Sequence, residues 1–416
     1  MNGKFKSVAI LGAGPAASTL AVMLIRGGVK VAIYHIPKRV PLTVGESLVP
    51  AVIPLLRELG VEDEVRTYSK LKPGATINMS PDVNFYFQFA NLEGNLPRYA
   101  YNVPRDKYDE TLLNAARKAG AKIIEVAASV EKVPGTDRVK LTAETLAAAG
   151  GFFNGEPDFI VDATGRLRLL PKLLDIKAKE GGRKDTALFA HLDQTKVDHD
   201  GHVHSTRLDH GWSWRIPLPD RMSLGIVIGS EHLPKFGATK EEQYDNLLKQ
   251  DSVLMKVAGD SKRITPVMEY KNYQLVSERM FGENWALVGD TAGFIDPVFS
   301  SGMLLGMQGG ILLAKAIING SDKAFTKYQK DATHHLECWH EIADNYYNGR
   351  LFNSMAVGEV LRKNYPMIRM MMPFFEKKFG SIFTGAASNS NFHLGMMRWI
   401  INYSANKDDP AKMQIY

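Results

Sequence analysis

The stretch SVAILGAGPAASTL, residues 7–20, decides the fold. Ser7 to Leu11 reads as a buried strand, and an apolar helical pattern runs from Pro15 through Leu24. Gly27-Gly28 stops that helix and Val29 to Tyr34 reads as a second strand, which makes a βαβ opening. Between the first strand and the helix lies Gly12-Ala13-Gly14-Pro15-Ala16-Ala17. Gly12 permits a tight turn, Gly14 lets backbone approach a pyrophosphate, and Ala17 keeps the third position small for helix–strand packing. The phosphates are expected at the helix N-terminus, where N–H groups and the dipole favour anions. His35 occupies the place where such folds carry an acid for the ribose hydroxyls; it can bond a hydroxyl but supplies no negative charge. The loop alone fits FAD and NAD equally.

The rest of the chain extends this opening. Its 416 residues suit two to three structural units, and 45% hydrophobic with 23% charged residues excludes disordered and low-complexity classes. Lys plus Arg is 51 against 45 Asp plus Glu, a net charge of +6, with no basic block of the kind nucleic-acid binders concentrate. No nucleic-acid partner is expected. Cys338 is the single cysteine, so no internal disulfide forms, which fits a reducing compartment. The N-terminal apolar run passes straight into glycines and reads as a strand, not a leader. Gly302 to Ala314 is interrupted by Gln308 and is too short to span a bilayer, so the expectation is a cytoplasmic protein without membrane attachment.

Helical patterns follow at Val49 to Leu59 and Arg105 to Lys118, and strand patterns at Phe85 to Phe89, Lys122 to Glu125 and Asp158 to Val161. Residues 185 to 230 are strand-rich, Trp285 to Val288 is another buried strand, and the chain beyond Gly302 is mostly helical. The class is α/β: a Rossmann-like nucleotide-binding module interwoven with a sheet-rich substrate module, plus a helical C-terminal region. The division expected is residues 1–330 for the two interwoven modules and 331–416 for the helical region.

Four further segments carry a resemblance. They are Gly45-Glu46-Ser47 followed by Leu48-Val49-Pro50; the WxWxIP run Trp212-Ser213-Trp214-Arg215-Ile216-Pro217; Gly289-Asp290 after a buried strand; and Phe294 to Gly302, which reads FxxPxxSxG. With the opening loop, and in this order, they resemble the flavin-dependent halogenases from about residue 7 to residue 310. The resemblance implies one FAD in the Rossmann-like module, as in FAD monooxygenases, with Gly289 and Asp290 at its ribityl and phosphate portion and Gly45, Glu46, Ser47 and Pro297 also among its contacts. Arg105, in VPRDKYDETLL, is similar to the family's FAD-contacting arginine at a helix start. It further implies that reduced FAD, supplied by a separate flavin reductase, and oxygen convert a halide ion to hypohalous acid. That oxidant passes through an internal tunnel to a lysine and on to an electron-rich aromatic.

Leu71-Lys72-Pro73-Gly74-Ala75-Thr76-Ile77 resembles the family's KxGAxF segment, with Ile77 in place of the aromatic, and points to Lys72; Lys70 stands two residues away. Trp212 and Trp214, two apart on a strand, share a face, and the resemblance implies that with Ile216 and Pro217 they form a tunnel wall. Ser300, Ser301 and Gly302 open a helix whose N–H groups suit a halide. Phe299 stands where tryptophan-specific members carry a glutamate, which resembles the phenol- and pyrrole-type members. Such substrates are free or tethered to a carrier protein. Asp162-Ala163-Thr164-Gly165-Arg166 resembles the halogenase form of a segment that in hydroxylases also serves nicotinamide, and no second GxGxxG is present. The alternatives are an FAD monooxygenase hydroxylating or epoxidising an apolar substrate, and a non-catalytic flavin-binding relative. No metal site is expected: Asp198 to His204 reads as a solvated loop, and His334 with Cys338 as one structural helix face. The apolar run Met370 to Phe375 reads as a packed helix end or pocket wall, with a membrane-surface segment as the alternative.

Overall fold

The computed structural model describes residues 4–415 except 38–41, 81–82, 93–94, 194–198, 209, 272–273, 367–369, 371–376, 378–379, 387–390 and 407. Among these residues, five parallel strands form one sheet in the order Trp285–Leu287, Phe159–Asp162, Ser7–Leu11, Lys30–Tyr34 and Lys122–Ile124. Ser7–Leu11 is central because its Val8, Ala9 and Ile10 are apolar on both faces and fully buried. The chain leaves it toward opposite sides, to Lys30–Tyr34 and, much later, to Phe159–Asp162. That reversal opens a crevice at the carboxyl ends of the strands, where open α/β sheets bind ligands.

A second sheet of seven described strands runs Met268–Lys271, Asp185–Leu192, Met222–Gly229, Gly211–Pro217, Val203–Leu208, Gly74–Ser80 and Val83–Gln88. It is antiparallel except where Val203–Leu208 pairs with Gly74–Ser80. One face presents Trp212, Trp214 and Ile216. The other carries Leu188, Leu224 and Ile226, in a separate apolar cluster with Tyr244 and Leu247 of the helix Lys240–Gln250. The two sheets draw strands alternately from the chain, so the modules are interwoven, as the sequence predicts.

The closing helices include Gly302–Asn319, Asp322–Tyr347, Arg350–Asn364 and Asn391–Ala405. Asp322–Tyr347 runs unbroken through residue 330, so the division expected there falls inside a helix. Gly302–Asn319 corrects the expectation of a segment too short to span a bilayer. It has 18 residues and by length and composition could span a bilayer. In the fold it is a core helix: Leu304, Met307, Leu313 and Ile317 are fully buried, and it packs on the helix Pro15–Arg26. Gly310 makes that approach possible, because a Cβ there would lie 2.8 Å from Ala16 O and 3.1 Å from Leu20 N.

The polar run at Asp198 to His204 is not a solvated loop throughout. Asp198 lies outside the described residues, but His202 and His204 are fully buried. Pairing of Val203–Leu208 with Gly74–Ser80 draws them into the sheet, and His202 Nδ1 sits 3.0 Å from Thr76 Oγ1. Among the described residues, no group of three or more His, Cys, Asp or Glu could hold a metal ion. His334 and Cys338 share a helix face, with Sγ 3.6 Å from Nε2. Of the run Met370 to Phe375 only Met370 is among the described residues.

The helix contact is tested by two substitutions of one type. Gly310→Ala forces a methyl against backbone and is expected to destabilise the fold by about 1–3 kcal/mol. Gly395→Ala, on the helix Asn391–Ala405 with nothing within 4 Å of a Cβ, is expected to be neutral or to stabilise by up to about 1 kcal/mol. Denaturant unfolding measures both.

Candidate active site

A single cavity of about 1190 Å³ begins at the carboxyl end of the parallel sheet and continues to the Trp-bearing face of the second sheet. At its first end the dinucleotide loop has the geometry its sequence requires. Gly12 has φ +105°, and a Cβ would fall 2.4 Å from Ala163 O, so only glycine fits. Gly14 is the opposite case: a Cβ would meet nothing within 4 Å, which leaves its backbone open to the cavity. Gly14 caps the helix Pro15–Arg26 without a side-chain bond, so the first-turn N–H groups remain for an anion. Gly289, at φ +65°, brings its backbone beside Ala16, and Asp290 lines the cavity next to it. Ala17 is buried behind this lining. His35 also lines the cavity, its N–H bonded to Ile124 O at 3.0 Å. Glu125, one residue further along that neighbouring strand, puts a carboxylate at the same end. Sequence reasoning missed it because it lies 90 residues from His35 and meets it only across the sheet. Asp162 is structural: its carboxylate accepts from Thr164 N–H and Oγ–H and from Leu170 N–H, which holds the turn that crowds Gly12. Burial raises its pKa. The open Gly14 cradle, the helix N-terminus and the cavity volume fit FAD.

Midway, Gly45 takes φ +94° because a Cβ would sit 2.9 Å from Arg105 Nη1. Arg105 starts the helix Arg105–Ala119, is nearly buried, and donates to Val44 O and twice to Asp109, at 2.9 and 3.1 Å. Lys72 ends the strand Lys70–Lys72, which pairs with Ala100–Asn102. Its side chain is 2% exposed, yet it lines the cavity. Nζ donates to Ser47 Oγ at 2.9 Å and Leu48 O at 2.8 Å and lies 5.6 Å from the Phe89 ring centre. Desolvation lowers its pKa to about 7. Lys70 points elsewhere and pairs with Asp200 at 2.8 Å, so the two lysines are separated by burial. Glu46 lines the cavity too, but its carboxylate is held by His191, with Nε2 2.9 Å from Oε1.

At the far end Trp212, Trp214 and Ile216 form one wall, while Pro217 ends the strand outside the lining. The indoles lie 5.7 Å apart, fixed by Trp212 Nε1 to Tyr347 OH at 2.8 Å and Trp214 Nε1 to Ser223 Oγ at 3.3 Å. Gly225, opposite Trp214 in the sheet, leaves room for its ring. Phe299 packs against Phe383 and Tyr346, and Tyr346 OH bonds Ser205 Oγ at 2.9 Å. Phe383 and Ser205 carry no motif and were not predictable. Pro297 and Ser300 line the cavity beside them. Ser300 turns at φ +58° and its N–H closes on Pro297 O at 3.1 Å. Ser301 is the N-cap of Gly302–Asn319 but makes no side-chain cap bond and stands outside the lining. The N–H groups open to an anion are therefore those of the first helical turn, from Gly302 on.

Fold and site thus define a flavoprotein of two interwoven modules, with a dinucleotide loop and a buried lysine sharing one cavity. A profile of the tryptophan halogenase family matches residues 90–350, well over half of the sequence. The chain belongs to that family and is an FAD-dependent halogenase. It is 27% identical over 380 residues to a Pseudomonas fluorescens chlorinase of the 1H-pyrrole-2-carbonyl group on a peptidyl-carrier protein, covering 82% of this chain and 83% of that one. It is 27% identical over 355 residues to the tryptophan 2-halogenase of Chondromyces crocatus, covering 82% and 67%. In fold it matches a flavoprotein/dehydrogenase from Cytophaga hutchinsonii with TM-score 0.80, 22% identity and 96% and 99% coverage. A flavin-dependent brominase matches with TM-score 0.76, 20% identity and 97% and 99% coverage.

The buried lysine has a stability signature. Below about pH 7 the folded state must hold a desolvated ammonium, whereas the unfolded lysine titrates near 10.5. The unfolded state binds more protons between these values, so the penalty is full below the folded pKa and fades as pH rises toward the unfolded one. Lys72→Met is expected to gain on the wild type by a few kcal/mol at pH 6, an order-of-magnitude figure, and to lose that advantage by pH 10. Chemical unfolding of both proteins at each pH measures the difference.

Proposed function

We propose that the protein halogenates a neutral, electron-rich aromatic ring, a phenol or pyrrole, and that Lys72 presents the oxidised halogen to it. The observation that carries this reading is the buried Lys72 Nζ in the wall of the cavity that begins at the dinucleotide loop. Bound FAD, reduced by a separate flavin reductase, supplies the activation of oxygen by which halide becomes hypohalous acid. The first turn of Gly302–Asn319 offers the halide its N–H groups and positive dipole end, beside Ser300 and Ser301.

An ammonium has three donors, and Ser47 Oγ and Leu48 O take two. The third is left for the oxygen of hypohalous acid. This hydrogen bond draws electrons from the O–X bond and makes the halogen electrophilic. When the ring attacks, the C–X bond forms and the O–X bond breaks. The departing hydroxide takes the ring proton and leaves as water. Trp212, Trp214 and Ile216 hold substrate away from the flavin end, which favours halogen transfer over direct oxygen transfer.

Phe299, Phe383, Trp212 and Trp214 give the substrate end an aromatic lining, with the Ser205 hydroxyl as a polar point. A zwitterionic amino acid would need ion partners there, because unpaired charges are costly to bury. The aromatic lining itself suits a neutral ring, and Phe299 in the place of a glutamate sets the chain apart from the tryptophan-specific members. The carrier-bound substrate of the chlorinase relative and the net charge of +6 support an acidic carrier as the substrate's bearer.

The test is an aerobic assay with FAD, a flavin reductase and NADH, offering phenols, pyrroles and indoles, free and carrier-tethered. Each is run with chloride, bromide or no halide and read by mass spectrometry. Halide-dependent halogenated product from phenol or pyrrole is expected, and Lys72→Ala is expected to lose at least about 100-fold of it while flavin oxidation continues. Halogenation preserved in Lys72→Ala removes the role given to the lysine. Oxygen insertion independent of halide overturns the proposal as a whole.

A further inference from the structure

One chain of polar groups, buried at Glu46 and His191, faces this cavity and has no part in the steps above. His191, on the strand Asp185–Leu192, lies with Nε2 2.9 and 3.2 Å from the two oxygens of Glu46. Its Nδ1 is 3.0 Å from Arg221 Nε, and its backbone N–H donates to Thr265 Oγ1 at 2.9 Å. Arg221 also binds Asp220 at 2.9 and 3.0 Å. Glu46 and His191 are 1% and 4% exposed, and both line the cavity with Arg221.

These contacts fix the state of the imidazole. A guanidinium only donates, so Nδ1 is an acceptor, and the neutral ring carries its proton on Nε2, aimed at the carboxylate. The chain therefore runs from the Arg221 donor through the Nδ1 acceptor and the Nε2 donor to the Glu46 carboxylate, with both ring nitrogens engaged.

Glu46 stands beside Ser47, the Lys72 acceptor. Their segment is pinned to the strand Ala100–Asn102 and the residue after it: Glu46 O accepts Val103 N–H at 2.8 Å, and Leu48 N–H donates to Tyr101 O at 2.9 Å. In such an extended segment successive side chains point to opposite faces. Glu46 turns to His191, and Ser47 turns to Lys72.

We propose that His191, oriented by Arg221, is a positioning residue for halogenation. It holds the Glu46 carboxylate so that the other face of Gly45–Leu48 presents Ser47 Oγ and Leu48 O to Lys72. This rests on the role given to Lys72 above. Without the imidazole, the Glu46 carboxylate is buried without its donor, and such a charge turns toward another cation. Arg105 is at hand, since its guanidinium lies against Gly45. That turn twists the segment and moves the lysine's acceptors.

The experiment compares His191→Leu and His191→Gln in the FAD-loaded enzyme, with flavin reductase and the substrate accepted by the wild type. Glutamine still offers an N–H to Glu46 and an oxygen to Arg221; leucine offers neither. Product formed per flavin reoxidised is expected to fall about tenfold in His191→Leu, with peroxide rising to match, and to recover most of the loss in His191→Gln. An unchanged ratio in His191→Leu, or equal losses in the two variants, overturns the inference. Should His191→Leu fail to fold by thermal unfolding, Arg221→Leu is read for the same ratio: a loss of about threefold or more upholds the inference, and a wild-type ratio overturns it. Lys72→Ala runs alongside. If it still halogenates, the Lys72 reading fails; if it is inactive while His191→Leu stays coupled, only the present inference fails.

Discussion

The close packing of two helices, Pro15–Arg26 and Gly302–Asn319, governs the remainder of the molecule. Both begin at the cavity, and both owe their approach to missing side chains. Gly310 sits against the backbone at Ala16 and Leu20, while Gly289 and Gly306 lie beside the Ala16 methyl. Interiors this dense leave no space for one more carbon. Residues almost 300 apart in sequence are thereby held together at the dinucleotide loop and at the start of Gly302–Asn319. The same contact explains why an apolar helix of bilayer-spanning length belongs to a core.

Around that axis the cavity passes from one chemistry to another. Its first end offers backbone N–H groups and an open glycine, which suit phosphates. Its far end is aromatic. Lys72 stands between, and burial governs it in two ways. Desolvation brings its pKa to about 7, within the range where its proton can be exchanged in water. Two fixed acceptors leave one donor direction, so the side chain is aimed as well as tuned. Lys70, two residues earlier, is instead paired with the exposed carboxylate of Asp200.

The segment Gly45–Leu48 joins these parts. Gly45 lets Arg105 pass, Glu46 ties to His191, and Ser47 with Leu48 receives Lys72. Three side chains from three distant elements converge on four residues. A short strand-like stretch can serve them all because its side chains alternate and its backbone is pinned to a neighbouring strand.

Much of this was legible in sequence because it depends on local constraints. Gly12 announces a positive φ, the interrupted apolar runs announce strands and helices, and spacing puts Trp212 and Trp214 on one face. The FxxPxxSxG segment marks the turn into Gly302–Asn319. What stayed hidden depends on partners far apart in the chain. The tie between Glu46 and His191 spans 145 residues, and nothing near either one signals the other. Glu125 meets His35 only across the sheet. His202 and His204 look solvated beside aspartates and become buried only when their strand pairs with Gly74–Ser80. The amino-acid sequence by itself determined the nucleotide loop, the order of elements and the family, because backbone geometry and periodicity are local. Only the tertiary structure decided which lysine is buried, what holds Glu46 and which aromatics close the cavity, because desolvation and hydrogen bonding belong to neighbours in space.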